Sequence, residues 1–446
     1  MSLPSYRKYK ATGIEWLARV PENWGLSRLG YESWVRARLG WKGLKADEYV
    51  EDGYAFLATP NIKEKDIDFV NVNYITKERY DESPEIKLAA GDVLLAKDGS
   101  TLGTVNVVRG LPCPATVNSS IAVITPRASL DGIFLFYLFQ SDFLVNTIHR
   151  IKGGMGVPHL FQEDLNKFHI PLPSIEEQAA IATFLDRETG TIDALIAEQE
   201  KLITLLAEKR QAAISHAVTR GLNPNAPMKD SGVAWLGQVP AHWDVVTFQR
   251  VVHVAEGQVN PEEQPYRSML LIAPNHVESG TGRLIYVETA EQQAAESGKY
   301  LCNAGDVIYS KIRPALRKVC IAPKDCLCSA DMYPLRGTAS RLSNLFLMWF
   351  MLSESFSALA VLESERVAMP KINRESLKEV WLALPTIDEQ TGIAAFLGRE
   401  TAKLDALKAE AERAIDLLKE RRSALIAAAV TGKIDVRDAL PQELAA

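Results

Sequence analysis

Apolar positions repeat in two different ways along this chain. Between 181 and 206, Ile181, Leu185, Ile192, Leu195, Leu202 and Leu206 follow one another in steps of three, four or seven residues. Ile393, Leu397, Leu404, Leu407 and Leu418 keep the same register further on. Such spacing predicts helices with an apolar seam of coiled-coil type, interrupted by Glu188, Gln199, Lys209, Glu400 and Arg421. Ser174 with Glu177, and Thr386 with Glu389, give each helix a capping box at its start. No proline breaks either run, and about 40 residues at 1.5 Å each make a helix of roughly 60 Å. That is too long for a connector inside one globular domain. Elsewhere the pattern is short and β-rich: 55–57, 92–96, 104–108 and 121–125 read as strands between Gly and Pro punctuation. The continuous apolar runs 131–143 and 345–352 read as buried helices.

The chain is also written twice. Gly13-Ile14-Glu15-Trp16-Leu17-Ala18-Arg19-Val20-Pro21-Glu22-Asn23-Trp24 returns as Gly232-Val233-Ala234-Trp235-Leu236-Gly237-Gln238-Val239-Pro240-Ala241-His242-Trp243. Residues 173–219 and 385–431 align without gaps at an offset of 212, with 27 of 47 positions identical, which establishes an internal repeat. The blocks between, about 25–170 and 244–382, share only landmarks. Examples are Gly91-Asp92-Val93 against Gly305-Asp306-Val307, and Val157-Pro158-His159 against Met369-Pro370-Lys371. A duplication that keeps its connectors and diverges in its globular blocks uses those blocks to recognise different things. Two copies packing through the same surface are related by a pseudo-two-fold axis, which makes the long helices antiparallel.

The expected fold class is therefore α+β: two mixed, β-rich domains separated by a pair of long antiparallel helices forming a coiled coil. The expected boundaries are 1–172 for the first domain, 173–222 for its helix, 223–384 for the second domain, 385–432 for the second helix and 433–446 for a tail.

Composition adds limits more than it adds chemistry. With 446 residues, 47% hydrophobic, 24% charged and a net charge of −6, the chain has material for several cores. No segment is a basic block, so polyanion binding needs a local cationic face. No apolar run reaches the roughly 18 residues of a membrane-spanning helix, and MSLPSYRKYK lacks a secretory pattern. Five cysteines fit free thiols in a cytoplasmic protein. Catalytic constellations are missing: no GxGxxG, no GxxxxGK[ST], no GxSxG elbow, and no His pair at helical spacing. Cys326-Leu327-Cys328 has no second pair at zinc spacing, Gly153-Gly154-Met155-Gly156 lacks a following Lys-Ser/Thr, and Glu85-Ile86-Lys87 lacks an acidic partner. The expectation is a recognition protein without metal, cofactor or catalytic residues of its own.

The Trp-Leu-(x)2-Val-Pro-(x)2-Trp openers at 16–24 and 235–243 resemble those of Type I restriction-modification specificity subunits. So do Pro171-Leu172-Pro173-Ser174-Ile175-Glu176-Glu177-Gln178, Leu384-Pro385-Thr386-Ile387-Asp388-Glu389-Gln390 and the Phe-Leu-x-Arg-Glu-Thr runs from 184 and 396. The resemblance covers the whole chain in order. It implies two target-recognition domains, each reading half of a bipartite, asymmetric double-stranded DNA target. It implies helices that act as a spacer and dock two methyltransferase subunits, with restriction subunits joining the full complex. S-adenosylmethionine, ATP and magnesium would then belong to those partners.

For DNA contact, the Gly-containing basic segments of the first block offer Lys42, Lys45, Lys97, Ser100, Thr101 and Lys152. The densest basic cluster of the second offers Lys311, Arg313, Arg317 and Lys318, joined by Lys371 and Arg374. Asp98 reads first as a turn-forming aspartate. The alternative to a DNA reader, favoured by the acidic net charge, is a coiled-coil scaffold whose domains bind proteins.

Overall fold

The computed structural model describes residues 4–14, 16–38, 44, 46–63, 65–151, 158–364 and 370–439. The chain forms two compact units, Met1–Gln199 with Arg413–Ala446, and Glu200–Glu412. In the first, β1 (Ser33–Arg36), β2 (Val93–Ala96), β3 (Val105–Val107) and β4 (Ile121–Pro126) form an antiparallel sheet in the order β1-β4-β2-β3. Strand Tyr54–Leu57 builds a second sheet, antiparallel to Asn73–Ile75 and parallel to Ala115–Val117. All four side chains of β2 are buried, which is why this run is uniformly apolar and not alternating. The apolar run after 131 forms helix Gly132–Gln140, capped by Asp131 accepting from the Phe134 N–H at 2.7 Å, then a second helix Asp142–Ile151.

The second unit repeats this plan. Strands β5 (Val252–Val254), β6 (Val307–Ser310), β7 (Val319–Ile321) and β8 (Met332–Gly337) take the order β5-β8-β6-β7. Register is kept as well as order: Val93 faces Val107, and Val307 faces Ile321. Helix Asn344–Leu352 fills the place of Gly132–Gln140, and its seven consecutive buried residues explain its even hydrophobicity. The Gly-Asp-Val landmark has one physical cause in both units. Asp92 accepts from the Ala89 N–H and Asp306 from the Asn303 N–H, both at 2.8 Å, closing the turn before the strand. Each carboxylate is also neutralised by an arginine, Arg36 at 2.9 Å and Arg336 at 2.8 Å, although these come from non-equivalent strands.

The long helices run Ile175–Arg220 and Ile387–Val430. Their first turns are anchored by a glutamine. Gln178 is fully buried, donates to Pro173 O (3.0 Å) and Ser129 O (2.9 Å), and accepts from the Asp131 N–H (2.8 Å). Gln390 makes the same three bonds to Pro385 O, Arg341 O and the Ser343 N–H. Only the second capping box closes fully: Glu389 reaches back to the Thr386 N–H, whereas Glu177 instead accepts from the Tyr6 hydroxyl at 2.6 Å. Both long helices end at a left-handed glycine, Gly221 (φ 76°) and Gly432 (φ 69°). A Cβ there would lie 3.1 Å from the Trp243 ring or 2.4 Å from Pro21 Cδ, so each opener packs directly on a helix end.

Each unit holds the start of one long helix and the end of the other, packed antiparallel. In the first unit Ile181, Phe184 and Leu185 share a core with Ile426, Ala429 and Val430, beneath Phe134, Leu135 and Leu138. In the second, Ile393, Ala394 and Leu397 join Ile214, Ala217 and Val218. Each long helix therefore begins on the domain it follows and ends on the other. Across the pairing, Arg422 Nε bonds Asp193 at 3.0 Å in one unit and Arg210 Nε bonds Asp405 at 3.2 Å in the other. These four residues are related by the 212 offset, so the repeat in sequence is a two-fold repeat in contacts.

The seam differs in detail from the expected one. Ile181, Leu185, Ile192, Leu206, Ile393, Leu397 and Leu404 are buried and Leu418 is half-buried, but Leu195, Leu202 and Leu407 are 41%, 41% and 49% exposed. One residue further along the helix, Ile196 and Ile203 are half-buried. A residue's neighbour on an α-helix is rotated about 100° away, so a choice between adjacent apolar residues decides the face. Heptad spacing selects 195 and 202, while burial favours the isoleucines beside them. Ala411 and Ile415, also buried, complete the second stripe.

Candidate nucleic-acid interface

Part of the set singled out for DNA contact, Lys97, Ser100 and Thr101 in the first unit and Lys311, Arg313, Lys371 and Arg374 in the second, lies at one end of each four-stranded sheet. In the first unit the loop after β2 is tied to the segment 158–162 by backbone bonds. Gly99 N–H donates to Pro158 O and Leu160 N–H to Lys97 O, both at 2.9 Å. In the second unit Arg313 N–H donates to Pro370 O and Ile372 N–H to Lys311 O, again at 2.9 Å. Isolated bridges Asp98–His159 and Ile312–Lys371 occupy matching places. This common frame explains the second landmark of the sequence, the proline-containing segments at 158 and 370. Lys42, Lys45 and Lys152 lie outside the described residues.

The side chains on the two frames differ. On the first, Lys97 Nζ lies 2.9 Å from Asp98 Oδ2, and Asp98 Oδ1 is bonded to His159 Nδ1, so the aspartate serves two partners. His159 stands edge-on to Phe161, which is 55% exposed, with ring centroids 4.5 Å apart. Ser100 is exposed, and the Thr101 hydroxyl contacts Asp98 O at 3.4 Å. On the second frame no acid sits in the loop. Lys311 Nζ lies 5.2 Å from the centre of Tyr333, and the Arg374 guanidinium lies 5.2 Å from Tyr333 and 5.6 Å from Tyr300. Arg374 is held by Ala255 O at 2.8 Å and Glu256 at 3.1 Å. Burial raises the Tyr333 phenol above its ordinary pKa and the neighbouring Arg374 opposes that rise, so the ring remains a neutral platform.

Arg313 and Lys371 are exposed, and among the described residues neither side chain has a hydrogen-bond or ion-pair partner. Arg317 and Lys318 turn away from this group. Lys318 Nζ donates to Pro274 O at 2.6 Å, and Arg317 lines a cavity of about 580 Å³ beside Arg210, Arg283 and Asp405. The structure thus brings Lys311, Arg313, Lys371 and Arg374 together and sets Arg317 and Lys318 apart. Tyr333 and His159 were missed from sequence because neither is basic and each matters only through what packs on it. Among the described residues, no three His, Cys, Asp or Glu side chains converge as metal ligands. Cys302, Cys320, Cys326 and Cys328 are instead packed in the core of the second unit.

A family model described as the Type I restriction modification DNA specificity domain matches residues 44–205 and again 240–415. The chain belongs to the Type I restriction-modification specificity family. Each match spans one variable block and the start of the helix that follows it, as the duplication requires. The EcoDI specificity subunit of Escherichia coli is 28% identical over 316 residues, covering 68% of this chain and 70% of that protein. The MjaVIII specificity subunit of Methanocaldococcus jannaschii is 24% identical over 436 residues, covering 94% and 95%. In fold, a chain from a structure of a type I restriction-modification system superposes with a TM-score of 0.71 at 18% identity, covering 93% of this chain and 99% of that one. The HsdS subunit from Thermoanaerobacter tengcongensis gives 0.54 at 18% identity, covering 93% and 98%. The specificity family has two target-recognition domains per chain, which here are the two variable blocks.

Proposed function

We propose that each target-recognition domain reads one half of a bipartite, asymmetric DNA sequence through the surface just described. The observation that carries this reading is one backbone frame presenting unlike side chains in the two domains: Lys97, Asp98 and His159 on one, Lys311, Arg313, Lys371 and Arg374 on the other. A palindromic reader would keep both sets alike. Lysines and arginines hold phosphates and fix register, while the remaining groups meet base edges. Half-sites on one face of B-DNA lie about one helical turn, roughly 34 Å, apart. A continuous helix pair holds such a distance at less entropic cost than a flexible linker.

The same helices dock two methyltransferase subunits. Leu195 with Leu417 in the first unit, and Leu205 with Leu407 in the second, expose apolar surface that a lone chain has no use for, and the pairs match by the 212 offset. Methylation and cleavage reside in partner subunits, which bring S-adenosylmethionine, ATP and magnesium, and the assembly works in the cytoplasm. The test is to map methylated adenines after co-expression with the partner methyltransferase. A bipartite, asymmetric motif is expected. Inserting seven residues within 178–218 should lengthen its spacer or abolish it, and an unchanged motif would refute the spacer role. Binding that lacks sequence preference and salt dependence would instead favour the protein-scaffold reading.

A further inference from the structure

The loop between β2 and β3 and that between β6 and β7 have the same length, since Val93–Val107 and Val307–Ile321 are equivalent pairs. Positions can therefore be matched one to one. Gly99 corresponds to Arg313 and Gly103 to Arg317. All four are left-handed, with φ of 72°, 47°, 89° and 46°. The loop demands a backbone that glycine adopts freely and arginine resists. Pro314 follows Arg313 and restricts that residue further. Among the described residues, Ala294 is the one other non-glycine in this region. Strained residues persist where the surrounding structure fixes them, and they cluster at binding and active sites. Of the three, Arg313 is the one that is exposed on the shared frame with no partner among the described residues.

We propose that Arg313 is a specificity-determining residue that reads a guanine in the half-site of the second domain. This rests on the DNA-reading function above and names the base class at one position. Two parallel bonds from a guanidinium to guanine O6 and N7 require the fork at a fixed angle. Phosphates can be held by point charges, which Lys371 and Lys311 already supply beside it. Lys371 is the bridge partner of Ile312, and Lys311 lies over Tyr333, so Arg313 is flanked by cations that can hold the sugar-phosphate backbone. The first domain, with Gly99 in the same place, has no such fork.

The experiment compares wild type, Arg313→Gly and Arg313→Lys in the assembled complex, reading methylation across a randomised duplex library together with thermal unfolding of the full chain. Arg313→Gly is expected to lose about ten- to hundredfold discrimination at one G·C pair of one half-site, leaving the other half-site intact. Its unfolding midpoint should hold or rise, because glycine relieves the backbone. Arg313→Lys should lose similar discrimination while keeping overall affinity. Three results would overturn the proposal: undiminished discrimination in Arg313→Gly, a uniform loss over all sequences of the kind a phosphate contact gives, or a lowered midpoint that marks Arg313 as structural. A wild-type complex with no bipartite motif would overturn the reading function and this inference together, whereas a normal wild-type motif with an unaffected variant removes only the inference.

Discussion

Gln178→Ala tests how the repeated segment holds a domain to its helix. The amide is fully buried and makes three bonds at 2.8–3.0 Å to backbone groups on two separate segments, 129–131 and Pro173. Truncation takes a partner from two carbonyls and one N–H, the Pro173 carbonyl among them being buried. At about 1 kcal/mol or more for each lost bond, plus the cavity, the first unit should lose roughly 3–5 kcal/mol. Gln178→Glu keeps the volume and the acceptor for Asp131 but aims a carboxylate at two carbonyl oxygens. Its folded-state pKa must then lie above the ordinary value of about 4.3. A raised carboxyl pKa means that the protonated form is favoured by folding, so the variant's deficit should be full at pH 7 and shrink as pH falls through that raised value. Denaturant unfolding from pH 4 to 8, with hydrogen exchange followed over 129–135 and 175–185, separates these cases. A Gln178→Ala variant within about 0.5 kcal/mol of wild type would refute the anchoring argument, as would a Gln178→Glu variant of wild-type stability at pH 7. Gln390→Ala should repeat the result in the second unit.

Ile192→Ala or Leu206→Ala should cost about 2–4 kcal/mol in denaturant unfolding. Leu195→Ala and Leu407→Ala should change the isolated chain by under about 0.5 kcal/mol and yet weaken co-purification with the methyltransferase. A double-mutant cycle on Arg422 and Asp193 should return a coupling of about 1 kcal/mol. Arg210→Ala should cost at least as much as Arg422→Ala: Asp405 keeps Arg283 at 3.2 Å, but Gly280 O and Thr281 O lose their donor. Iodoacetamide at pH 8 should label Cys113 alone in the folded chain, as read by mass spectrometry. Burial pushes the Cys320 thiol up to about 12, so its thiolate is scarce at that pH, and Cys302, Cys326 and Cys328 are equally enclosed.

What could be read from sequence was whatever local spacing or self-similarity determines. The long helices, the strands at 55–57 and 121–125 and the buried helix at 345–352 follow from periodicity and apolar runs. The seam was legible only to within one residue, because Leu195 and Ile196 are equally apolar and burial depends on the partner helix. Gln178 and Gln390 stood in plain view within the repeated segment, but polarity hid their complete burial. The candidate interface was legible as basic residues and not as a surface. That Lys318 folds inward to Pro274 O while Arg313 stays exposed depends on backbone geometry that composition does not encode. The left-handed arginines had one trace in sequence, the glycines at 99 and 103, which becomes visible only once the two loops are matched by strand register.

The core of the first unit closes with Ile426, Ala429, Val430 and Val436, and the Asp435 N–H donates to Pro4 O at 2.7 Å. Residues 426–436 are thus needed to complete the core of a unit whose sheet and buried helix come from residues 33–151. Residues 200–412 form their unit from one continuous stretch, so the later-encoded domain can finish folding while the earlier one still waits for its final strip of apolar surface. A chain cut after Glu412 would therefore carry all the residues of the second unit joined to a first unit that lacks one wall of its core.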